Sequence, residues 1–264
     1  MEVSVCTNRA ILSPCGLKNI DYQVDTYIGC EHLCYYCYAL EDAETDWSKE
    51  IQIHQNIVDQ LSEELVTISP QTIYMGYQTD PYQPCEAEHR QTRKVLQLLL
   101  QKGFSASILT KSDLVVRDID ILSAMNAAAV SVSAAFNDDA TRRLFEEHTM
   151  ATEKRVEALH QLKGAGIRTA ALVCPIVPYI SDAIELIDML VPCTSEIWVY
   201  GLSINDRSGE NWLRVQKILN NHFPDLAAPI EQVLFSKDHP YWTELRNKLT
   251  TLKNDHQLNL NIHL

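Results

Sequence analysis

Short apolar segments alternate regularly with amphipathic ones along most of the chain, and this alternation constrains the fold more than any other feature. The apolar segments have the length of strands, whereas the amphipathic ones place apolar residues on one helical face, as Leu61, Leu65 and Ile68 do. Strands are predicted at residues 23–27, 72–75, 105–109, 129–134, 169–174, 197–200 and 258–263, and helices at residues 56–68, 86–102, 118–126, 152–164, 182–190, 211–222 and 241–255.

Six of these strand–helix units follow one another, which predicts parallel pairing with right-handed crossovers. The pattern fits either an open doubly wound sheet or an incomplete barrel, and the hydrophobic period does not separate the two. In both architectures ligands bind at the C-terminal ends of the strands. The polar segments after the strands therefore form the candidate site, and they lie at residues 29–38, 77–82, 110–111, 131–136, 175–178 and 201–205.

Size and composition bound the class of protein. The 264 residues suit one medium domain, or one domain with an extension, and 46% apolar with 22% charged residues is ordinary for a folded chain. No apolar run reaches the roughly 18 residues that span a bilayer, and the first residues lack a basic segment followed by an apolar one. We therefore predict a cytoplasmic protein that does not enter the membrane.

The charge balance bears on the partner. Lys and Arg number 22 and Asp and Glu number 35, which gives a net charge of −13 at pH 7. An acidic surface repels phosphate backbones at long range, although a local basic groove can override that repulsion. Nucleic acid is disfavoured as a partner and is not excluded.

The cysteines carry the most specific signal. Eight cysteines in a chain expected to be cytoplasmic are better interpreted as metal or redox ligands than as disulfides. Cys30, Cys34 and Cys37 form a C-x3-C-x2-C pattern directly after the first predicted strand. Three thiolates can hold three corners of an iron–sulfur cube and leave one iron free for another ligand. The alternative is a structural zinc site, for which His32 could supply a fourth ligand.

This pattern resembles the cluster loop of the radical S-adenosylmethionine (SAM) superfamily. The segment GCEHLCYYCYA at residues 29–39 is similar to the loop of the spore photoproduct lyase-like group. Four further blocks match that group in the same order, namely TDPYQP at 79–84, LTKS at 109–112, VSVS at 130–133 and PIVP at 175–178. The resemblance covers about residues 20–205.

The resemblance implies an α/β fold with an incomplete (β/α)6 barrel, which we assign to residues 1–205 with the N-terminal segment. The helices and strand predicted after residue 205 indicate a short α/β extension at 206–264 packed on the barrel. It implies a [4Fe–4S] cluster and SAM as cofactors. An external one-electron donor, such as flavodoxin or ferredoxin, would reduce the cluster, and SAM would be cleaved to a 5′-deoxyadenosyl radical that abstracts hydrogen from an unidentified substrate. Such a cluster is expected to be oxygen-sensitive.

The resemblance also implies site residues. The three cysteines would bind iron, and Tyr36 and Tyr38 would flank the cluster and touch SAM. Thr79 and Asp80 would contact the SAM amino group. Lys111 would pair with the SAM carboxylate, which its charge suits, and Ser133 would bind the ribose or the amino-acid end.

One departure from the group bears on the reaction. Photoproduct lyases carry a hydrogen-donating cysteine at the end of the second strand, where this chain has Tyr77 and Gln78. Cys85 is the nearest cysteine and is the candidate thiol donor. Tyr82, which follows a strand and is expected at the cavity wall, is the second catalytic candidate. A small molecule or peptide is therefore favoured slightly as substrate. The alternatives are a DNA lesion lyase of the photoproduct lyase type and a non-catalytic iron–sulfur or zinc protein.

Overall fold

The computed structural model describes residues 1–7 and 9–264. Its strands are β1 (Glu2–Cys6), β2 (Leu12–Pro14), β3 (Tyr22–Val24), β4 (Tyr27–Ile28), β5 (Glu50–His54), β6 (Thr72–Met75), β7 (Ser105–Thr110), β8 (Ala129–Ala134), β9 (Arg168–Ile176), β10 (Ile197–Gly201) and β11 (Leu260–His263). Its α-helices are α1 (Ile57–Glu64), α2 (Glu86–His89), α3 (Gln91–Gln101), α4 (Ile119–Leu122), α5 (Asp139–Phe145), α6 (Thr152–Gly164), α7 (Ala183–Leu190), α8 (Glu210–His222), α9 (Pro224–Phe235) and α10 (Pro240–Asp255).

One large sheet organises the fold. Its strand order is β11-β10-β9-β8-β7-β6-β3-β2, and every neighbouring pair is parallel except β2 with β3. The ladder ends at β11 and β2, so the barrel is not closed. The predicted α/β incomplete barrel is confirmed, and the C-terminal ends of its parallel strands lie at one edge.

Alternation along the strands separates a packed face from an open one. Val130 and Val132 of β8 point to the same face of the sheet and are fully buried in the main core. Ser133, on the opposite face near the end of β8, lines a cavity. Apolar side chains of α3, α6 and α7 cover the packed face, including Leu99, Leu159 and Leu186. Each such side chain contributes about 1.5–3 kcal/mol by its burial.

The first strand and the second helix differ from the prediction. The predicted strand at 23–27 divides, because the carboxylate of Asp25 accepts from the backbone of Gln78 and Thr79, and β4 then joins β5 and β1 in a separate three-stranded sheet. The predicted helix at 86–102 breaks at Arg90, which has φ +53°. The Glu86 carboxylate accepts from the first backbone N–H groups of α3 and so begins a new helix there.

The residues after 205 extend the sheet at one edge and pack against the barrel. Strand β11 pairs with β10 in parallel, and Leu249 of α10 packs in the main core. Helices α8 and α9 form a second apolar cluster that contains Trp212 and also Phe136 and Phe145 from the barrel. From these contacts we propose that 206–264 is an extension packed on the barrel. Within the described residues, no helix is long and apolar enough to cross a membrane.

Candidate functional site

A cavity of about 500 Å³ opens at the C-terminal ends of the parallel strands. Its volume is in the range of small-molecule sites. The ends of the five adjacent strands β6 to β10 line one part of it and the cysteine loop lines another. The structure brings all nine residues predicted to bind the cluster or SAM to this cavity: Cys30, Cys34, Cys37, Tyr36, Tyr38, Thr79, Asp80, Lys111 and Ser133.

The cysteine loop is attached to the segment that follows β6. The backbone N–H of Glu31 donates to Gln83 Oε1 at 2.7 Å, and Gln83 Nε2 donates to the carbonyl of Gly29 at 3.1 Å. In return the backbone N–H of Cys85 donates to Glu31 Oε2 at 2.7 Å. Three hydrogen bonds thus hold the start of the loop against this segment.

A buried ion pair holds the other side of the loop. The backbone N–H of Tyr35 donates to Phe145 O at 2.9 Å, and the Tyr36 hydroxyl donates to the Glu146 carboxylate. Arg155 Nη2 lies 2.5 Å from Glu146 Oε2, and both side chains have at most 1% of their surface exposed. Burial alone would raise the pKa of Glu146, but the positive charges of Arg155 and Lys111 outweigh it and lower that pKa to about 2.

The sequence alone does not reveal this ion pair, because adjacent charges such as Glu146 and Glu147 usually lie on a solvated surface. Helix α5 itself was not predicted. The available signal was the closeness of acidic and basic residues between Arg142 and Arg155, which does not by itself show burial.

Lys111 follows β7 and supplies the cation of the cavity. Its Nζ lies 5.9 Å from the centroid of the Tyr36 ring. This ammonium group makes no hydrogen bond or ion pair with the part of the chain that the structure describes, whereas the backbone N–H of Lys111 does make a hydrogen bond. Desolvation opposes its charge, but the neighbouring Cys34 and Glu146 outweigh desolvation and raise the pKa of Lys111. The ammonium group is therefore charged and available to an anionic group.

Asp80 joins the ends of β6 and β7. Its carboxylate accepts from Thr110 Oγ1 at 2.7 Å, from the backbone N–H of Lys111 at 2.7 Å and from that of Tyr82 at 2.8 Å. His32 Nδ1 lies 3.2 Å from the same carboxylate. Burial opposes its charge, but His32 and these donors lower the pKa of Asp80 to about 2. The geometry makes Asp80 a group that positions Lys111, and its contact with the SAM amino group stays a prediction.

The other predicted cofactor contacts have local partners too. Thr79 donates through its backbone to Asp25 at 3.0 Å and through its hydroxyl to the carbonyl of Tyr27 at 3.3 Å. The Ser133 hydroxyl donates to Cys174 O at 3.0 Å. Tyr38 is about half exposed (53%) at the cavity mouth and its hydroxyl donates to the Tyr77 carbonyl.

Tyr82 and Cys85 lie outside the cavity wall. Tyr82 is fully buried, and its hydroxyl donates to Asp118 at 3.1 Å. Cys85 stands at the start of α2 against Glu31, and burial raises the pKa of its thiol. Among the residues described, the cysteines on the cavity wall are the three of the motif and Cys174.

The donor set fits the implied cluster. Cys30, Cys34 and Cys37 are free thiols on one cavity wall, and cysteine sulfur is the ligand that iron–sulfur clusters use. Desolvation raises the pKa of Cys30 to about 12, so three thiolates here need compensating positive charge. The described ranges 1–7 and 9–264 contain no group of three or more His, Cys, Asp or Glu side chains that could hold a single metal ion.

Comparison with known families identifies the fold and cofactors. The family model of the radical SAM superfamily matches residues 24–190. The chain belongs to the radical SAM superfamily. Enzymes of this superfamily use a [4Fe–4S] cluster and SAM, so this chain is an enzyme of that type and these are its cofactors.

The similar sequences are uncharacterized proteins. One from Methanocaldococcus jannaschii is 29% identical over 199 residues, which are 74% of this chain and 75% of that protein. One from Mycobacterium tuberculosis is 30% identical over 182 residues, which are 64% of this chain and 54% of that protein. The chain thus spans about half the length of the mycobacterial relative.

Solved structures share the architecture. A substituted spore photoproduct lyase with dinucleoside spore photoproduct has a TM-score of 0.69 at 13% identity, over 98% of this chain and 81% of that chain. A radical SAM methyltransferase from Kitasatospora setae, with cobalamin and a [4Fe–4S] cluster bound, has a TM-score of 0.54 at 11% identity, over 74% of this chain and 36% of that chain. These likenesses concern the fold alone.

Proposed function

We propose that this radical SAM enzyme holds a [4Fe–4S] cluster through Cys30, Cys34 and Cys37 and acts on a carbon–hydrogen bond of a small molecule or peptide. The cluster and SAM would supply one-electron cleavage of SAM to a 5′-deoxyadenosyl radical, with the electron from an external donor. The observation that carries the proposal is that the cysteine motif and the ends of the adjacent parallel strands β6 to β10 line the same cavity.

The protein residues would bind and orient the cofactors. The charged Lys111 ammonium would receive the SAM carboxylate, and Asp80 would hold the Lys111 backbone in place through its 2.7 Å hydrogen bond. Ser133 and Thr79 would offer hydroxyl groups at the strand ends. Tyr36 would fix the loop by its hydrogen bond to Glu146, so the sulfur ligands keep one arrangement.

The lining on the side of β9 and β10 supports a substrate that is not a polyanion. Its side chains are uncharged, and they include Leu172, Tyr200, Leu202, Ser203 and Asn205. The net charge of −13 also opposes phosphate backbones. The end of β6 carries Tyr77 and Gln78 on the cavity wall, where a photoproduct lyase would carry its donor cysteine. The DNA lesion lyase remains the second candidate, and it is favoured by the likeness of the fold to spore photoproduct lyase.

A reductive cleavage assay tests the activity. Protein reconstituted with iron and sulfide without oxygen, then given SAM and dithionite, is expected to form 5′-deoxyadenosine. The Cys30→Ala, Cys34→Ala and Cys37→Ala variants should form none and should lose iron. Cys193→Ala is the matched control, because Cys193 is buried in the main core away from the cavity. Product formation that survives all three motif substitutions would refute the proposal.

DNA retention separates the two substrate classes. The small-molecule or peptide proposal predicts negligible retention of DNA by the cluster-loaded protein at low salt. Retention that weakens steeply as salt is added would indicate phosphate contacts and would favour the lesion lyase.

A further inference from the structure

A second cavity, of about 570 Å³, lies on the other side of the segment after β6. It shares Trp47 and residues 77–79 with the cofactor cavity. The rest of its lining comes from the N-terminal segment, β3, β4, the loop before β5, Ala39, and His54 at the end of β5. None of the predicted cluster ligands lines it. The cavity is large enough for a small molecule.

A carboxylate without a cation faces this cavity. Asp25 accepts from the backbone N–H of Gln78 at 2.9 Å, from that of Thr79 at 3.0 Å and from Gln23 Nε2 at 3.0 Å. Burial raises the pKa of Asp25 despite these donors. Within the described residues no Lys, Arg or His side chain forms an ion pair with its carboxylate; His54, which also lines the cavity, interacts with the backbone of Asp25 instead. Carboxylates removed from water are normally paired with a cation, so this site lacks one charge partner.

A buried amide oxygen next to it also lacks a partner. Gln23 is 5% exposed and lines the cavity, and the bond from its Nε2 to Asp25 fixes the orientation of the amide. Its Oε1 has no hydrogen-bond donor in the part of the chain that is described. The Asp25 carboxylate and Gln23 Oε1 are both hydrogen-bond acceptors, so a ligand with several N–H groups would complement them.

The rest of the lining favours a positive and planar ligand. Trp47, Tyr27 and Tyr77 supply aromatic surface, which attracts cations. Asp42 adds negative charge to the lining, whereas the charges of Glu44 and Arg9 offset each other in an ion pair of 2.8 Å.

We propose that this second cavity binds a small cationic ligand with a planar group of several N–H donors, of the amidinium or guanidinium class, between Asp25 and Gln23. The ligand would neutralise the negative charge of Asp25 and would also donate a hydrogen bond to the Gln23 oxygen. The inference rests on this cavity alone and stands apart from the proposed SAM chemistry.

Calorimetric titration of the cluster-loaded protein with benzamidine tests the site, with benzamide as the uncharged probe of similar shape. Benzamidine is expected to bind at least about tenfold more tightly, because a charge-assisted hydrogen bond contributes more than a neutral one. Equal affinities for the two probes, or no heat from benzamidine at about 10 mM, would overturn the proposal.

Variants then locate the site. Asp25→Asn keeps an oxygen for the backbone of Gln78 and Thr79, and rotation of the Gln23 amide restores the remaining hydrogen bond, so the fold should persist. Benzamidine affinity should fall about tenfold or more in this variant. An unchanged affinity in a variant with a wild-type circular dichroism spectrum would place the probe elsewhere and reject the assignment.

A second substitution guards against loss of folding in the first. Gln23→Leu should weaken benzamidine binding, whereas Gln91→Leu should not. Gln91 is the matched control, because it is also buried with an unpartnered Oε1 but lies outside the lining of this cavity. Equal effects of the two leucine variants would reject a direct contact with Gln23.

Discussion

Glu146→Gln offers a sharp test of how the cysteine loop is held. The substitution keeps the shape of the side chain and removes its charge, which leaves the Arg155 guanidinium with 1% exposure and no anion. Removing one partner of a buried ion pair costs about 3–5 kcal/mol. Arg155 keeps its bonds to the Ser133 and Met150 carbonyls and to Thr149, so we expect the lower end, about 3 kcal/mol.

The magnitude converts into a melting temperature. For a chain of this size each kcal/mol shifts the midpoint by about 2–4 °C, so Glu146→Gln should melt about 6–12 °C lower by circular dichroism. Glu147→Gln is the control. Among the described residues its side chain accepts one exposed hydrogen bond, from the Tyr35 hydroxyl, so its loss should cost less than about 0.5 kcal/mol. Iron content after reconstitution should also fall in Glu146→Gln, since the Tyr36 contact to the loop is weakened.

A double substitution excludes a trivial cause. Combining Arg155→Met with Glu146→Gln removes the unpaired charge. The loss in free energy of unfolding in the double variant should therefore be smaller than the sum of the losses in the two single variants. A Glu146→Gln protein that melts within error of Glu147→Gln, or a double variant whose loss equals that sum, would refute the reasoning.

Three further outcomes are expected. Lys111→Ala should weaken SAM binding about 10- to 100-fold by equilibrium dialysis, which is the equivalent of one charge-assisted hydrogen bond, and should leave the iron content unchanged. Lys102→Ala, at the end of α3, is the control and should change neither SAM affinity nor iron content. Gly76→Ala should lower the melting temperature, because Gly76 has φ +110° and an added Cβ would lie 2.3 Å from a β7 carbonyl oxygen. Gly164→Ala, in α6, meets open space and should leave the melting temperature unchanged or raise it slightly. Burial lowers the pKa of His54 below 6.5; Arg9 also opposes its positive charge, whereas Glu64 and the Asp25 backbone favour it. As the pH falls below 6.5 the unfolded chain therefore takes up this proton before the folded chain does, and the free energy of unfolding should decrease. Urea unfolding should show a smaller decrease for His54→Gln.

Local features of the fold were predictable because local patterns specify them. Strands β6 and β8 and helix α6 match their predicted bounds, since alternation and helical period reflect burial within each segment. The cysteine motif was also predictable, because its spacing lies within one loop.

Contacts between distant segments were not predictable. Tyr36 and Glu146 are 110 positions apart, and no residue near either one reports their pairing. The division of the helix at Arg90 depends on a carboxylate that turns back onto the chain. Tyr82 was expected at the cavity wall because it follows a strand, but its bond to Asp118 draws it into the core.

The attachment of the cysteine loop on both sides has a consequence for the exchange of iron. The contacts to Gln83 and to the Glu146–Arg155 pair are made by protein groups alone, so folding itself orders the loop and meets the entropic cost of doing so. In small zinc domains the metal provides that order, and chelators unfold them. A cluster bound by these cysteines would therefore leave and return to a loop that is already ordered, and a chelator that strips its iron should leave the far-ultraviolet circular dichroism spectrum unchanged.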